Sequence, residues 1–388
     1  MVTGCGEMFL YLDNAATSYP KPPAVIEAVR WAMAEVGATP GRAAHRKARE
    51  ALRIVAEARA KAAYILGIAD PDRVVFTKNA TEGLNLVLKG WLRPGDRVVI
   101  SGMEHNAVVR PLHRLTNLGI VVETLRCTPA GQIRLADLEQ VLRLPPRLVV
   151  MAHASNVNGA LQPISEVARR CSEKGVPLLL DAAQTAGIQP ILTDAWNLGM
   201  IACSGHKGLL GPPGIGILYL RPDLEVLPLL EGGTGSFSEH FLQPEFCPDR
   251  YESGTPNLPG IAGLAAGIEF LLERGVDAIR DHELRLARIL EQELAALPGV
   301  TVYLPEVRGT GVVSFAVEGL TAEDIGAVLD EGYDIAVRTG LHCAPLAHQT
   351  LGTMPHGMVR ISPGFSTTVE DLDYFLQALR SLLSCRRR

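Results

Sequence analysis

The sequence predicts an α/β protein in which helices cover both faces of a mainly parallel sheet, followed by a smaller α+β unit. The chain has 388 residues, of which 47% are hydrophobic and 20% charged, enough for two domains with large cores. Between residues 74 and 220, short apolar runs alternate with amphipathic helices, a pattern typical of parallel sheets. The alternation stops after residue 220, which indicates that a different unit follows.

Two helices are predicted before the alternation begins. Pro20, Pro22 and Pro23 start the first helix. The second covers residues 44–66, because small and apolar residues recur there at helical spacing. These residues are Ala44, Ala48, Leu52, Val55, Ala62 and Leu66. We expect the arginines and glutamates between them to form a solvated face.

The alternating region contains the predicted parallel sheet. Its strands are predicted at 74–76, 97–100, 120–123, 148–152, 176–180, 199–203 and 215–220, and its helices at 81–88, 106–115, 135–142 and 164–173. Right-handed crossovers bring the carboxyl ends of parallel strands to one edge of the sheet. We therefore expect a ligand to bind along that edge.

The remainder of the chain predicts the smaller unit. A polar, glycine- and proline-rich loop leads to a long helix, 261–297, that bridges to this unit. Strands at 312–317 and 358–362 and helices at 322–329 and 369–383 follow. We predict a large domain of residues 19–260 and a small domain of residues 261–388, with residues 1–18 packed on the small one.

The composition excludes several classes of function. A net charge of −5 gives no sign of nucleic-acid binding, and no apolar run reaches the roughly 20 residues of a membrane helix. Residues 1–8 lack the pattern of a signal peptide. Seven cysteines without a CxxC pair fit a reducing cytoplasm better than a disulfide framework.

Three separated residues suggest pyridoxal phosphate chemistry. Lys207 lies between two apolar runs, where a buried ammonium without a partner is costly. Asp181 ends another apolar run, and Cys343 lies in a polar loop. A lysine that forms a Schiff base, an aspartate that pairs with a pyridinium nitrogen and a loop cysteine fit this cofactor. The alternative interpretations are a surface lysine, a helix N-cap and a small buried hydrophobe.

A helix start after the first strand predicts a phosphate site. Asn79 and Glu82 have the spacing of a capping box, which leaves the amides of Ala80 and Thr81 and the Thr81 hydroxyl for an anion. An ordinary cap explains the same pattern. Ser204 and His206, next to Lys207, are expected to add donors.

Three further residues follow strand ends. His105 is either a cap or a ring that lies over the cofactor and passes protons, and Asn156 either forms a turn or donates to the cofactor's phenolic oxygen. Gln184 is expected to reach the same oxygen from one helical turn beyond Asp181. No metal-ligand pattern is present, and His348 and His356 are expected to be solvent-exposed.

Seven motifs in this order resemble those of one enzyme family. They are Leu12 to Thr17, Asn79 to Glu82, Glu104 to Asn106, Asp181 to Gln184, Ser204 to Lys207, Arg250 to Asn257, and Arg338 to Cys343. The sequence resembles cysteine desulfurases of the class V aminotransferase superfamily, in the branch with SufS-type enzymes and selenocysteine lyases. The resemblance extends from residue 11 to about residue 375.

The resemblance implies a fold type I enzyme with a seven-stranded sheet that binds pyridoxal 5'-phosphate and forms a homodimer with shared active sites. It implies catalytic roles for Lys207, Cys343 and His105. The implied cofactor-binding residues are Ala80, Thr81, His105, Asn156, Asp181, Gln184, Ser204, His206, Lys207 and Thr234, the last contributed to the partner subunit. The implied substrate-binding residues are Asn14, Asn156, Arg338 and Arg360.

The implied reaction removes sulfur from L-cysteine, giving alanine and a persulfide on Cys343. The segment between Cys343 and Arg360 is short, which in the family accompanies a separate protein that accepts the sulfur. Phe365 to Thr367 depart from the family's usual tyrosine-asparagine-threonine run. Selenocysteine lyase, cysteine sulfinate desulfinase, a class V aminotransferase and a non-catalytic scaffold of a sulfur pathway remain alternatives, and the destination of the sulfur, including iron–sulfur clusters, stays open.

Overall fold

The computed structural model describes residues 9–41 and 45–385. Predictions for residues 1–8, which include Cys5, for Ala44 and for residues 386–388 lie outside this range. The helices are α1 (Pro23–Trp31), α2 (Arg46–Ile65), α3 (Ala80–Trp91), α4 (Asn106–Thr116), α5 (Leu135–Val141), α6 (Ile164–Glu173), α7 (Leu258–Arg274), α8 (Val276–Ala295), α9 (Ala322–Tyr333), α10 (Pro345–Thr350) and α11 (Val369–Cys385). The strands are β1 (Leu10–Tyr11), β2 (Val74–Thr77), β3 (Arg97–Ser101), β4 (Val121–Leu125), β5 (Leu148–Ala152), β6 (Leu178–Asp181), β7 (Met200–Ser204), β8 (Gly216–Leu220), β9 (Val300–Val302), β10 (Val313–Val317), β11 (Ile335–Ala336), β12 (Arg338–Gly340) and β13 (Met358–Ile361).

The large sheet has seven strands in the order β2-β8-β7-β6-β5-β3-β4, as the resemblance implies. Its pairs are parallel except those of β8, which runs antiparallel to β2 and β7. Successive strand residues face opposite sides. Phe76 and Val99 accordingly join one hydrophobic core, and Val75 and Val98 join the core on the other face. The prediction of a mainly parallel sheet with helices on both faces is confirmed.

The C-terminal part forms a separate antiparallel sheet in the order β12-β13-β10-β9. Its core contains Phe315 on β10 and Phe375 on α11, both fully buried and packed edge to face. Strand β1 lies beside this unit, because its Leu10 pairs with Ile335 of β11 in a parallel register. The division of the chain into residues 19–260 and 261–388, with 1–18 added to the latter, stays a prediction.

The predicted bridging helix, 261–297, is wrong as a single element. The structure has two helices, α7 and α8, that meet at Gly275 with φ of 85°. A residue with a side chain rarely adopts this backbone conformation, so glycine allows the direction to change here. Because of this change of direction, the side chain of Glu283, on α8, lies next to loops of the large sheet.

The expected solvated face of α2 is also partly wrong. Arg59 is buried and forms an ion pair with Glu252 at 2.9 Å, whereas Leu52, expected on the apolar face, is 54% exposed. The carboxylate of Glu252 also accepts the amide of Phe76. A half-buried carboxylate from a distant loop therefore determines where this arginine lies.

No helix within the described ranges is both long and apolar enough to span a bilayer.

Candidate active site

The loops that follow five strands of the large sheet line one cavity. They come after β2, β3, β5, β6 and β7, which all point in the same direction. The lining residues are Ala80, Thr81, Met103, His105, Ala107, Ala152, Ala154, Asn156, Asp181, Ala183, Gln184, Ser204 and Lys207. The cavity encloses about 440 Å³, counting space open to solvent. The expected edge of the sheet therefore brings together most of the residues predicted to bind the cofactor.

Lys207 lies in the turn between β7 and β8. Burial lowers the pKa of its amine to about 8, although the charges of Asp181, Asp13 and Cys343 favour the protonated form. A neutral amine is the form that attacks a carbonyl, and a pKa near 8 makes this form accessible near neutral pH.

The peptide before Lys207 is held firmly in place. The carbonyl oxygen of His206 accepts hydrogen bonds from Thr17, Ser18 and the Lys21 amine, the last at 2.8 Å. Lys21 is largely surrounded by protein, and burial lowers its pKa to about 8. Sequence reasoning missed Lys21, because nothing in its local pattern of prolines indicates a contact with residue 206.

Asp181 is buried at the end of β6. One carboxylate oxygen accepts the Ala183 amide at 3.0 Å, and burial raises the pKa of the carboxyl group. The following residues form turns instead of the expected helical turn, and Gln184 donates to the carbonyl of Ala15 at 3.1 Å. A carboxylate this far from water is stabilised by a cationic partner.

The start of α3 differs from the expected capping box. Asn79 accepts the Glu82 amide at 3.0 Å, but the Glu82 carboxylate reaches the amide of Lys78 instead of closing a reciprocal box. The Ala80 amide faces the Ser204 hydroxyl at 3.3 Å. A side chain at Gly216 would lie 2.6 Å from the Asn79 backbone, so glycine lets β8 approach the helix start closely.

His105 caps a helix, as one of its two predicted interpretations states, and its place over the cofactor stays a prediction. Its Nδ1 accepts the amide of Ala107 as a helix cap, and its ring lines the cavity. Burial and the nearby charges of Lys207, Arg110 and Arg360 lower its pKa to about 4, so the ring is neutral near pH 7. The preceding Glu104 is fully buried, and burial raises its pKa to about 8.

Cys343 is exposed, whereas the other cysteines whose side chains the structure describes are buried or half-buried. It has φ of 57°, and His342 before it has φ of 49°, a conformation that L-residues rarely adopt. Two hydrogen bonds tie this loop to the cavity: the Asn106 amide donates to the Cys343 carbonyl at 2.8 Å, and Asn156 donates to the His342 carbonyl at 2.7 Å. The thiol is thus presented on a strained loop with anchored carbonyls.

Arg360 is buried next to this loop. It donates to the Asn156 carbonyl at 3.0 Å and to the carboxylate of Asp13 at 2.7 Å. Arg338 is exposed and lies opposite Arg360 in the antiparallel register. Sequence reasoning selected Asn14, whose amide group is bonded to Ser362 and Tyr19. It missed the neighbouring Asp13, although both belong to the same motif.

Several predicted positions lie outside this cavity. Thr234 does not line it in the single chain, and its hydroxyl accepts the Ser236 amide. His206 is adjacent in sequence to Lys207, and its Nδ1 is buried with no hydrogen-bond partner among residues 9–41 and 45–385. The expectation of an exposed His348 is wrong: it is fully buried because α10 packs inward, and its ring bonds to Thr353. His356 is exposed.

The residues present fit pyridoxal phosphate. The amine of Lys207 faces the same cavity as the Asp181 carboxylate and the His105 ring, and the N-terminus of a 12-residue helix supplies amides for a phosphate. Within the described residues, no group of histidine, cysteine and carboxylate side chains could hold a metal ion. The carbonyl, the pyridine nitrogen, the ring face and the phosphate of the cofactor therefore each have a matching group.

Comparison with known proteins supports the same family. The family model Aminotransferase class-V matches residues 10–375. A cysteine desulfurase of Dickeya dadantii is 35% identical over 387 residues, which cover 97% of this chain and 92% of that protein. A probable cysteine desulfurase of Methanothermobacter thermautotrophicus is 33% identical, with 96% and 94% covered.

A solved structure supports the same family assignment. The apo structure of a cysteine desulfurase from Thermococcus onnurineus NA1 superposes with a TM-score of 0.91 at 34% identity, covering 97% of this chain and 95% of that one. The fold type I architecture implied by the resemblance is confirmed, and this chain belongs to the class V aminotransferase family and, within it, to the cysteine desulfurases.

Proposed function

We propose that this chain is a pyridoxal-phosphate-dependent L-cysteine desulfurase. The observation that supports this most strongly is the exposed thiol of Cys343, on a loop tied to the cavity that Lys207 and Asp181 line. A class V aminotransferase has no need for a thiol in this position. The proposal gives Cys343 the role of sulfur acceptor.

The cofactor, when bound, supplies an electron sink for the carbanion that forms at the substrate Cα. Asp181 is proposed to hold the pyridine nitrogen in its protonated form, because an ionised carboxylate in a buried site favours a neighbouring cation. Ala80, Thr81, Ser204 and His206 are proposed to hold the phosphate, with Thr234 serving the partner subunit. His105, Asn156 and Gln184 are proposed to contact the ring and its phenolic oxygen.

Lys207 and Arg360 act on the substrate itself. Arg360 holds the α-carboxylate through charge-assisted hydrogen bonds, with Asn156, Asn14 and Arg338 proposed nearby. Lys207 removes the proton from Cα as an amine and returns a proton to the product as an ammonium. A pKa of about 8 suits both directions.

Cys343 takes the sulfur. Its thiolate attacks the substrate sulfur, an S–S bond forms, and the C–S bond breaks with its electron pair remaining on the carbon fragment. Protonation of that fragment gives alanine, and Cys343 carries a persulfide. The exposure of Cys343 leaves the terminal sulfur accessible to an acceptor.

The experiment measures alanine and sulfide from L-cysteine with a reductant, for the wild type and Cys343→Ser. We expect Cys343→Ser to bind the cofactor with an unchanged absorbance spectrum and to lose sulfur release. Full activity in Cys343→Ser would refute the proposal. Parallel assays with selenocysteine and cysteine sulfinate rank these substrates against L-cysteine.

We also propose a protein acceptor for the sulfur and a homodimer, in a cytoplasmic location. A loop with anchored carbonyls limits how far the persulfide travels, so a partner has to approach it.

The proposed homodimer is supported by one segment with exposed apolar side chains, as expected for a surface that another subunit covers. These side chains are Leu230, Phe241, Leu242 and Phe246. Sulfide release that rises strongly with an added acceptor, and the mass of the particle in solution, test these two proposals.

A further inference from the structure

Asp13 is a partly buried carboxylate beside the arginine proposed to hold the substrate. Its Oδ1 accepts a hydrogen bond of 2.7 Å from Arg360 Nη2, and the two side chains keep 13% and 4% of their surface exposed. Burial disfavours the charged form of Arg360, and the charge of Asp13 counteracts this. Removing one partner of such a pair leaves the other buried and uncompensated. Asp13 therefore affects both the position and the charge of Arg360.

Arg360 keeps one buried donor without a partner. Nη1 donates to the Asn156 carbonyl, Nη2 donates to Asp13, and Nε has no acceptor within the described part of the chain. A guanidinium holds its donors in one rigid plane, so two acceptors determine where the remaining edge points. An unpaired buried donor is costly, and a ligand carboxylate is the group that best satisfies it.

We propose that Asp13 is a positioning residue that sets the affinity of this site for the α-carboxylate of an amino acid, acting through Arg360. This proposal depends on the proposed function in one respect: the proposed function identifies the ligand as an amino acid. Asp13 has two effects of opposite sign. As an acceptor it orients the guanidinium and strengthens carboxylate binding, and as a negative charge it offsets the guanidinium and weakens the same binding.

Two substitutions separate these effects. Asp13→Ala removes both the acceptor and the charge, so Arg360 loses its orientation, and we expect a carboxylate ligand to bind about tenfold to a hundredfold more weakly. Asp13→Asn keeps an oxygen acceptor and removes only the charge. We expect the ligand to bind to Asp13→Asn at least as tightly as to the wild type.

The experiment titrates the holoenzyme with L-alanine and with ethylamine, following the absorbance of the bound cofactor. Ethylamine has the same amine and carbon atoms as alanine but lacks the carboxylate. We expect the affinity for L-alanine relative to that for ethylamine to fall in Asp13→Ala and not to fall in Asp13→Asn. A change that both ligands share reports the charge that Asp13 places near Lys207. Glu291→Ala is the matched control, because it breaks a similarly buried ion pair, with Arg308, that does not include Arg360.

Three results would overturn the inference. These are unchanged L-alanine binding in Asp13→Ala, an equal loss for L-alanine and ethylamine, and weaker L-alanine binding, relative to ethylamine, in Asp13→Asn than in the wild type. If Asp13→Ala does not fold, Asp13→Asn alone tests the inference: weaker L-alanine binding, relative to ethylamine, than in the wild type would overturn it. This experiment does not measure sulfur release, so it can succeed even if the proposed function is wrong. If the chain binds L-alanine as expected but does not desulfurate L-cysteine, the proposed function is refuted and the role of Asp13 stands.

Discussion

The floor of the candidate site and the cysteine loop beside it are built in opposite ways. The floor consists of residues at the ends of buried strands, such as Asp181, and its lysine is held through four hydrogen bonds to the preceding carbonyl. The loop has an exposed Cys343, two left-handed residues and two hydrogen bonds to its carbonyls. In the proposed function, proton transfer therefore belongs to a rigid part of the molecule and sulfur transfer to an accessible part.

Replacing the lysine on the floor should have the largest effect. In Lys207→Ala the amine that removes and returns the proton is lost, and we expect alanine release from L-cysteine to fall by about 10³-fold or more. Lys61→Ala, which removes a surface amine paired with Glu269, should leave the rate unchanged. If Lys207→Ala kept more than about a tenth of the activity, the division between floor and loop would be wrong.

Neutralising the buried carboxylate should have the next largest effect. Asp181→Asn keeps an acceptor for the Ala183 amide but removes the charge, and we expect the rate of alanine release to fall about a hundredfold while the cofactor remains bound. Asp194→Asn is the control, because Asp194 also accepts a backbone amide, that of Ala69, outside the cavity. Equal losses in both variants would indicate a general effect on folding instead.

The pH dependence of cofactor uptake tests the environment of Lys207. The pKa of its amine is lowered to about 8, mainly by burial, and only the neutral amine attacks the cofactor's carbonyl. As pH rises towards 8, the neutral fraction grows about tenfold per unit, and it levels off above that value. We expect the rate at which the cofactor-free protein takes up pyridoxal phosphate to follow this curve, measured by absorbance. A rate that kept rising to about pH 10 would indicate an ordinary, solvated lysine.

Loosening the loop should have the smallest effect. Asn156→Asp replaces the amide that donates to the His342 carbonyl by an acceptor, and we expect amide hydrogen exchange at residues 341–344 to become about two- to tenfold faster. Asn158→Asp is the matched control, because Asn158 donates to the carbonyl of Ala130 instead. Unchanged exchange in Asn156→Asp would show that the loop is held by other contacts.

The sequence was informative where a pattern is local. Strand 148–152 and helix 164–173 were predicted at their observed bounds, because the strand is a continuous apolar run and the helix has a clear apolar period. The strands β1, β9, β11 and β12 have two or three residues and were not predicted, since so short a segment has no period to recognise.

The same distinction applies to the candidate site. Lys207, Asp181, His105 and Asn156 follow predicted strands, and the sheet brings them to one cavity. Asp13 and Lys21 gain their contacts from residues 360 and 206, far along the chain. Such contacts come from the tertiary structure, and one sequence contains no local signal for them.

The ion pair between Asp13 and Arg360 joins residues that are 347 positions apart. During synthesis, these two side chains can meet only after residue 360 has left the ribosome. A nascent chain that stops before β13 would already contain every strand of the large sheet, yet it would lack the arginine proposed to recognise an amino acid. The pocket proposed to recognise the amino acid is therefore completed only after the whole large sheet has been synthesised.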